Sequence, residues 1–354
     1  MLARESGVFR TTYAADMAVY QLPLARLGLA GFLLVLFGVV PALATDYGLS
    51  ILNLVGIASI GAIGLNLLVG YAGQISLGQG GFMAIGAYTA ALFALRLDAP
   101  FWVVLPAAGV TTAVVGSLFG IPSLRVKGLY LAIATLAAQF IIEWNLLHSS
   151  WLTGQGAQGA LVIEPAAIGP LVLDSERRKY FLIMAVALLA AVVARNLGRS
   201  YLGRAFVAIR DQDIAAETMG VSIFRYKLLA FAISSFYAGV TGAMWAYYTQ
   251  VVSYEHFLIN TSIDYLAMII IGGLGSVPGS ILGAVFITLM PAGIRDALEA
   301  LKRLGLPGTL GSFAYVREIL FGLVIVLFLV FEPEGLYRMW RRIKDYFRLW
   351  PFAY

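Results

Sequence analysis

Hydrophobic residues fall along this chain in long runs, separated by short polar or glycine-rich connections. Ten runs stand out, at residues 26–45, 49–70, 80–95, 100–120, 128–147, 180–195, 228–250, 263–275, 278–294 and 315–332. Most are long and apolar enough to cross a bilayer as helices. The pattern therefore predicts an all-α, polytopic integral membrane protein with about ten transmembrane helices. Several runs fall short of the roughly 20 residues that a helix needs to span hydrocarbon. Short, Gly-interrupted spans often mark broken helices beside a transport path.

The polar positions set the organisation. Residues 1–25 form an N-terminal segment, 26–332 a transmembrane domain and 333–354 a basic tail. Placing the N-terminus in the cytoplasm and alternating puts sixteen of the 24 Lys and Arg residues on the cytoplasmic side, among them Arg125, Arg204, Arg210, Arg225, Arg338 and Arg341. That two-to-one bias supports cytoplasmic N- and C-termini. A basic loop, 195–227, then faces the cytoplasm. A long connection, 148–179, faces outward and reads either as an ordered loop with short strands or as a solvated linker. The run at 27–41 is followed by Ala42-Leu43-Ala44, which looks like a signal-peptidase site, but the segment before it is long and many spans follow, so the expectation is a retained first helix.

Composition agrees. The chain is 60% hydrophobic and 12% charged, against roughly 25% charged in soluble domains. The net charge of +5 arises between apolar runs, so it points to membrane anchoring and not to nucleic acid. Cysteine is absent, which removes disulfides, thiolate metal sites and Cys nucleophiles from this chain. His148 and His256 lie far apart in sequence, outside any ligand spacing, and no metal or cofactor site is expected.

Two motifs interrupt the apolar pattern. Residues 70–82, GYAGQISLGQGGF, hold five glycines with Gln and Ser between them. Each Gly costs about 1 kcal/mol relative to Ala in a helix, and irregular backbone at membrane depth is tolerated only where protein or water covers it. The segment is read either as the lining of a cavity or as a cytoplasmic turn with close packing. A related break, IGGLGSVPGSILGA, occupies 271–284, and Gly86-Ala87 and Gly283-Ala284 hold similar places after the two breaks, a hint of an internal repeat. Candidate path residues are Asn66, Gln74, Ser76, Gln79, Gly80, Gly273, Gly275 and Ser276, which together offer uncharged hydrogen bonds to a polar solute. The spacings Gly116–Gly120 and Gly279–Gly283 permit close helix contact, expected within the chain. In the basic loop, Asp211 is expected to cap a short helix at 212–219, Gly220 to end it and Ser222 to cap the next helix. Arg210, Asp213, Ala216, Glu217 and Gly220 are the residues expected to dock a cytoplasmic partner.

The five lysines follow Val126, Arg178, Tyr226, Leu301 and Ile343. None follows Gly, so no Walker A motif is present and the chain does not bind ATP by a P-loop. Nor does a charged residue fall clearly at mid-membrane, Glu143 being placed near the outer end of its span. An ion-coupled transporter usually needs such a charge. Three functions remain open on the residues alone: a permease driven by a partner ATPase, an ion-coupled secondary transporter, and a non-transporting scaffold.

Three stretches carry a resemblance. GLNLLVGYAGQISLGQGGFMAIGAYTAAL (64–92), RSYLGRAFVAIRDQDIAAETMGVSIFRYKLLAFAIS (199–234) and IGGLGSVPGSILGAVF (271–286) resemble the permeases of bacterial branched-chain amino-acid ABC importers, over most of residues 50–330. The resemblance implies a non-enzymatic inner-membrane subunit paired with a homologous second permease. It further implies two cytoplasmic ATPases, which bind ATP and Mg, and a periplasmic solute-binding protein. It makes DIAAETMG (213–220) the coupling region. Gln79 departs from the family, where His is expected more often. Family members carry leucine-type amino acids, urea, short amides or aromatic acids, so the exact solute stays open.

Overall fold

The computed structural model describes residue 12, residues 23–123, 128–149, 160–168, 171–303 and 335–349, and scattered positions from 319 to 331. Only scattered positions of the tenth run, 315–332, are described, as helix, and most of the N-terminal segment lies outside the described residues. The other nine runs each fall on a helix.

The first helix, α1 (Pro23–Leu34), passes through a π-helical turn (Val35–Val39) into α2 (Val40–Leu43). Then come α3 (Asp46–Asn66), α4 (Gln79–Leu97), α5 (Phe101–Ser123), α6 (Leu129–His148) and α7 (Glu176–Arg199). The second half holds α8 (Tyr201–Asp211), α9 (Asp213–Thr218), α10 (Ile223–Thr249), α11 (Ile259–Gly272), α12 (Val277–Arg303) and α13 (Gly335–Leu349). Seven of the described helices are long and apolar enough to cross a membrane, and residues 27–43 form a shorter apolar helix. At 14 residues, about 21 Å by helical rise, α11 is too short to cross on its own.

Helix ends follow local chemistry. Thr45 caps α3, its hydroxyl accepting from Gly48 N, and Ser175 caps α7 by accepting from Arg178 N. Both helices carry an acid in the first turn, Asp46 and Glu176, where it complements the helix dipole.

The fold is built around α3 and α10, the most deeply buried of the spanning helices. α10 packs against α5, α4 and α3, and α3 against α7 and α12. Glycines allow the closest of these contacts. A Cβ on Gly242 would lie 1.9 Å from Met83 O, and one on Gly86 would lie 2.3 Å from Gly239 O. Both pairs sit where α4 crosses α10, so only hydrogen fits between the two backbones. Gly116 and Gly120 face Ser235 and Phe231 of α10, and Gly279 faces the end of α11; these spacings serve contacts within the chain.

The long connection 148–179 carries short strands where it is described. β1 (Leu161–Val162) pairs antiparallel with β4 (Val251–Val252), just after α10. β2 (Ala167–Ile168) pairs with β3 (Leu171–Val172). These four two-residue strands are the β structure among the described residues.

Two boundaries differ from the sequence reading. The basic stretch 195–227 is mostly helix, because α7 runs on to Arg199 and the amphipathic α8 follows. Asp211 is not the cap of the short helix. It closes α8, and the chain turns at Gln212, extended at φ −155° and ψ 91°, before α9.

Candidate functional site

Both glycine-rich motifs form breaks between helices. After α3 a π-helical turn (Leu67–Tyr71) leads into irregular backbone over 72–78, and α4 starts at Gln79. The second break is shorter, 273–276, between α11 and α12. Gly73 has φ +68°, Gly273 +116° and Gly275 +76°, conformations that side chains rarely adopt.

The breaks meet one another. Asn66 Nδ2 donates to Ser276 O at 2.9 Å and to Ser280 Oγ at 2.7 Å, and its Oδ1 accepts from Gly275 N at 2.9 Å. One buried amide from α3 thus satisfies three polar groups where α12 begins, the kind of interhelical bond that polar residues supply in membranes. Arg210, from α8, joins the same point. Its Nη1 donates to Gly70 O at 2.7 Å, and its Nε pairs with Asp211 Oδ1 at 2.9 Å. Its stem lies against Gly73, where a Cβ would come within 2.8 Å of Arg210 Cγ. Gly335, at the start of α13, abuts Gly273.

A second cluster holds the start of α4. Helix N-termini leave N–H groups without helical partners, and here side chains from α6 and α11 supply them. Gly80 N donates to Ser262 Oγ at 2.8 Å, Gly81 N donates to Gln139 Oε1, and Gln139 Nε2 donates to Phe257 O at 2.6 Å. Just before the helix, Leu77 N donates to Thr135 Oγ1 at 2.9 Å. Gln79 Nε2 reaches Gly61 O at 3.4 Å, and Ser76 Oγ accepts weakly from Gly78 N.

The predicted path residues thus divide. Asn66, Gly275 and Ser276 come together with Arg210, while Gln79 and Gly80 belong to the α4 cluster. Asn66, Gln74, Ser76 and Gln79 are each no more than 2% exposed. Gln74 differs from the rest in that neither amide atom has a hydrogen-bond partner. The sequence reading missed Gln139, Ser262 and Ser280, which hold the breaks in place. Their signal was available, as polar residues inside otherwise apolar runs.

The coupling candidates lie on and around α9. Gly220 has φ +88°. Val221 N donates to Ala216 O at 3.0 Å and Gly220 N to Glu217 O at 2.9 Å, the paired bonds of a Schellman end. Ser222 stands at the N-cap of α10 without a side-chain capping bond. Ala216 packs inward, Asp213 is half-buried and Glu217 is exposed. Ile214 and Met219, which sequence reasoning passed over, are 71% and 87% exposed. An apolar pair on a rigid, capped turn can be covered by a partner at little entropic cost.

The sequence profile of the family described as "Branched-chain amino acid transport system / permease component" matches residues 47–329. The high-affinity branched-chain amino acid transport system permease protein LivM of Escherichia coli K12 is 34% identical over 331 residues, covering 87% of this chain and 74% of that protein. LivH of the same strain is 23% identical, over 78% of this chain and 89% of that protein. The autoinducer 2 import system permease protein LsrC of Enterobacter sp. 638 is 27% identical over 57% of this chain. No solved structure matches. The profile covers both breaks, the junction at Asn66 and the α8–α9 segment, and the chain belongs to the branched-chain amino acid transport permease family.

Proposed function

We propose that the chain is the permease subunit of an ATP-driven inner-membrane importer for branched-chain amino acids. It pairs with a homologous second permease, as the similarity to both LivM and LivH suggests. Two cytoplasmic ATPase subunits hold ATP and Mg, a solute-binding protein delivers the cargo from outside, and the permease itself catalyses no reaction. Both termini are cytoplasmic, the topology has about ten spans, and α9 is the coupling helix. The observation that carries this reading is Arg210. It lies in the last turn of the helix leading into α9 and hydrogen-bonds Gly70 at the first break, so a push on α9 has a short, stiff route to the junction of both breaks.

In this reading the breaks border the translocation path. Their polar atoms are uncharged, which suits a net-neutral zwitterion, and opening the junction exchanges their bonds to each other for bonds to solute and water.

Gly220→Val and Met219→Asp test the coupling assignment in the assembled complex. No atom lies within 4 Å of a Cβ at Gly220, so the valine strains only the turn, by about 1–2 kcal/mol. Stimulation of ATP hydrolysis by loaded binding protein is expected to fall severalfold in both variants, with membrane insertion intact. Unchanged stimulation in both would remove α9 from coupling.

A further inference from the structure

The last described helix, α13, has two unlike faces. At about 3.6 residues per turn, Met339, Trp340, Ile343 and Tyr346 share one side with Leu336, and the basic residues Arg338, Arg341, Arg342 and Lys344 share the other. Trp340 and Tyr346 are 62% and 61% exposed, and Met339 and Ile343 are 41% and 44%. The four basic residues are exposed as well. Over 335–349 the sequence holds five basic residues against one acid, or against three when Glu332 and Glu334 just before it are counted. A helix exposed on both faces, apolar with Trp and Tyr on one and basic on the other, suits the surface of a membrane.

The surroundings of α13 match each face. Leu336 lines an apolar groove along α12 with Leu282, Phe286 and Leu289. α12 is long and apolar enough to span a membrane and only 33% buried, so this groove faces lipid and the apolar side of α13 continues it. The basic side instead lines an open cavity of about 600 Å³, with residues 274–276 of the second break opposite Tyr337, Arg338, Arg341, Arg342 and Asp345. That volume falls within the roughly 300–1,000 Å³ of ordinary ligand sites. Three guanidiniums against one carboxylate favour an anion. Arg338 and Arg342 also have contacts within the protein, but a guanidinium carries several N–H donors, so one contact does not fill it.

We infer that this cavity holds the headgroup of an anionic phospholipid, with its acyl chains along the α12 groove. The phosphate pairs with the guanidiniums, a geometry arginine favours, and the apolar side of α13 rests among neighbouring lipid tails. Gly335, at the start of α13, lies so close to Gly273 that a Cβ would come within 2.6 Å of its backbone. The seating of α13 and the shape of the second break therefore change together, and a bound lipid favours the arrangement it binds best. The site requires only that the chain spans a membrane, whatever it carries.

The test is native mass spectrometry of the purified full chain in detergent, offered equal parts phosphatidylglycerol and phosphatidylcholine. Phosphatidylglycerol should be retained about fivefold over phosphatidylcholine or better, and its binding should saturate. Each basic residue removed should weaken it about fivefold. Arg341→Gln therefore loses about that factor, and Arg338→Gln/Arg341→Gln/Arg342→Gln tenfold or more; the single variant decides should the triple one fold poorly. Arg225→Gln, at the start of α10 and outside the cavity, makes the same charge change and should leave retention as it was. No preference for phosphatidylglycerol, wild-type retention in Arg341→Gln, or equal weakening by Arg225→Gln would overturn the site. Displacement of the lipid by equimolar inorganic phosphate would overturn it too, by making it a free-anion site.

Discussion

Asn66 ties α3 to the second break through three hydrogen bonds. Its amide bonds Ser276 and Ser280 and receives Gly275 N. Asn66→Ala would take the partner from Gly275 N and leave Ser276 O and Ser280 Oγ only their bonds to each other and to Ser280 N, so a loss of about 1–3 kcal/mol is expected, read as a lower unfolding temperature in detergent; an unchanged temperature would mean that water replaces the amide. The glycines give a sharper contrast. Gly242→Ala would drive a methyl to 1.9 Å from Met83 O, whereas nothing lies within 4 Å of a Cβ at Gly293. Gly242→Ala should abolish the close α4–α10 crossing and cut the yield of folded protein, and Gly293→Ala should leave yield as it was. Which glycines matter could not be read from the sequence. Crowding at Gly242 depends on Met83, a residue of another helix, and not on its own neighbours in the chain.

At the scale of elements, the apolar runs were legible because lipid forbids long polar interruptions. Their ends were less so, because helices outrun their apolar parts. α7 starts at Glu176 and α10 at Ile223, ahead of the runs at 180 and 228. α8 was read as loop because its charges hide an amphipathic helix that buries Phe206 and Ile209. The two breaks were visible as glycine clusters, but their meeting was not: Asn66 and Ser276 are 210 residues apart. The path assignment belongs to this scale. The chain has no native cysteine, so Gln74→Cys and Ser76→Cys report without background. Each is expected to react with a water-soluble thiol reagent in at least one nucleotide state of the assembled complex. Protection in every state would make these residues packing elements and remove them from the path.

For the whole molecule, the arrangement divides the labour of transport. α3 and α10 form a buried centre, stiffened where glycines bring α4 and α10 together. The irregular segments lie beside that centre, and Arg210 links the first of them to the helix that leads into an exposed, capped turn. Apolar composition and basic bias were enough to predict a polytopic membrane protein, but the residues alone left three functions open, and a partner ATPase was singled out only with the family resemblance. The solute was not legible, because no residue of the breaks carries a charge or shape that distinguishes one small zwitterion from another. The most direct test is L-leucine uptake into proteoliposomes holding this chain and its homologous second permease. One preparation also carries the ATPase subunits, the binding protein and ATP on the α9 side; the other has only a proton or sodium gradient. Uptake is expected in the first preparation alone, and to stop when ATP is replaced by a non-hydrolysable analogue. Uptake driven by the ion gradient without the ATPase would contradict the account.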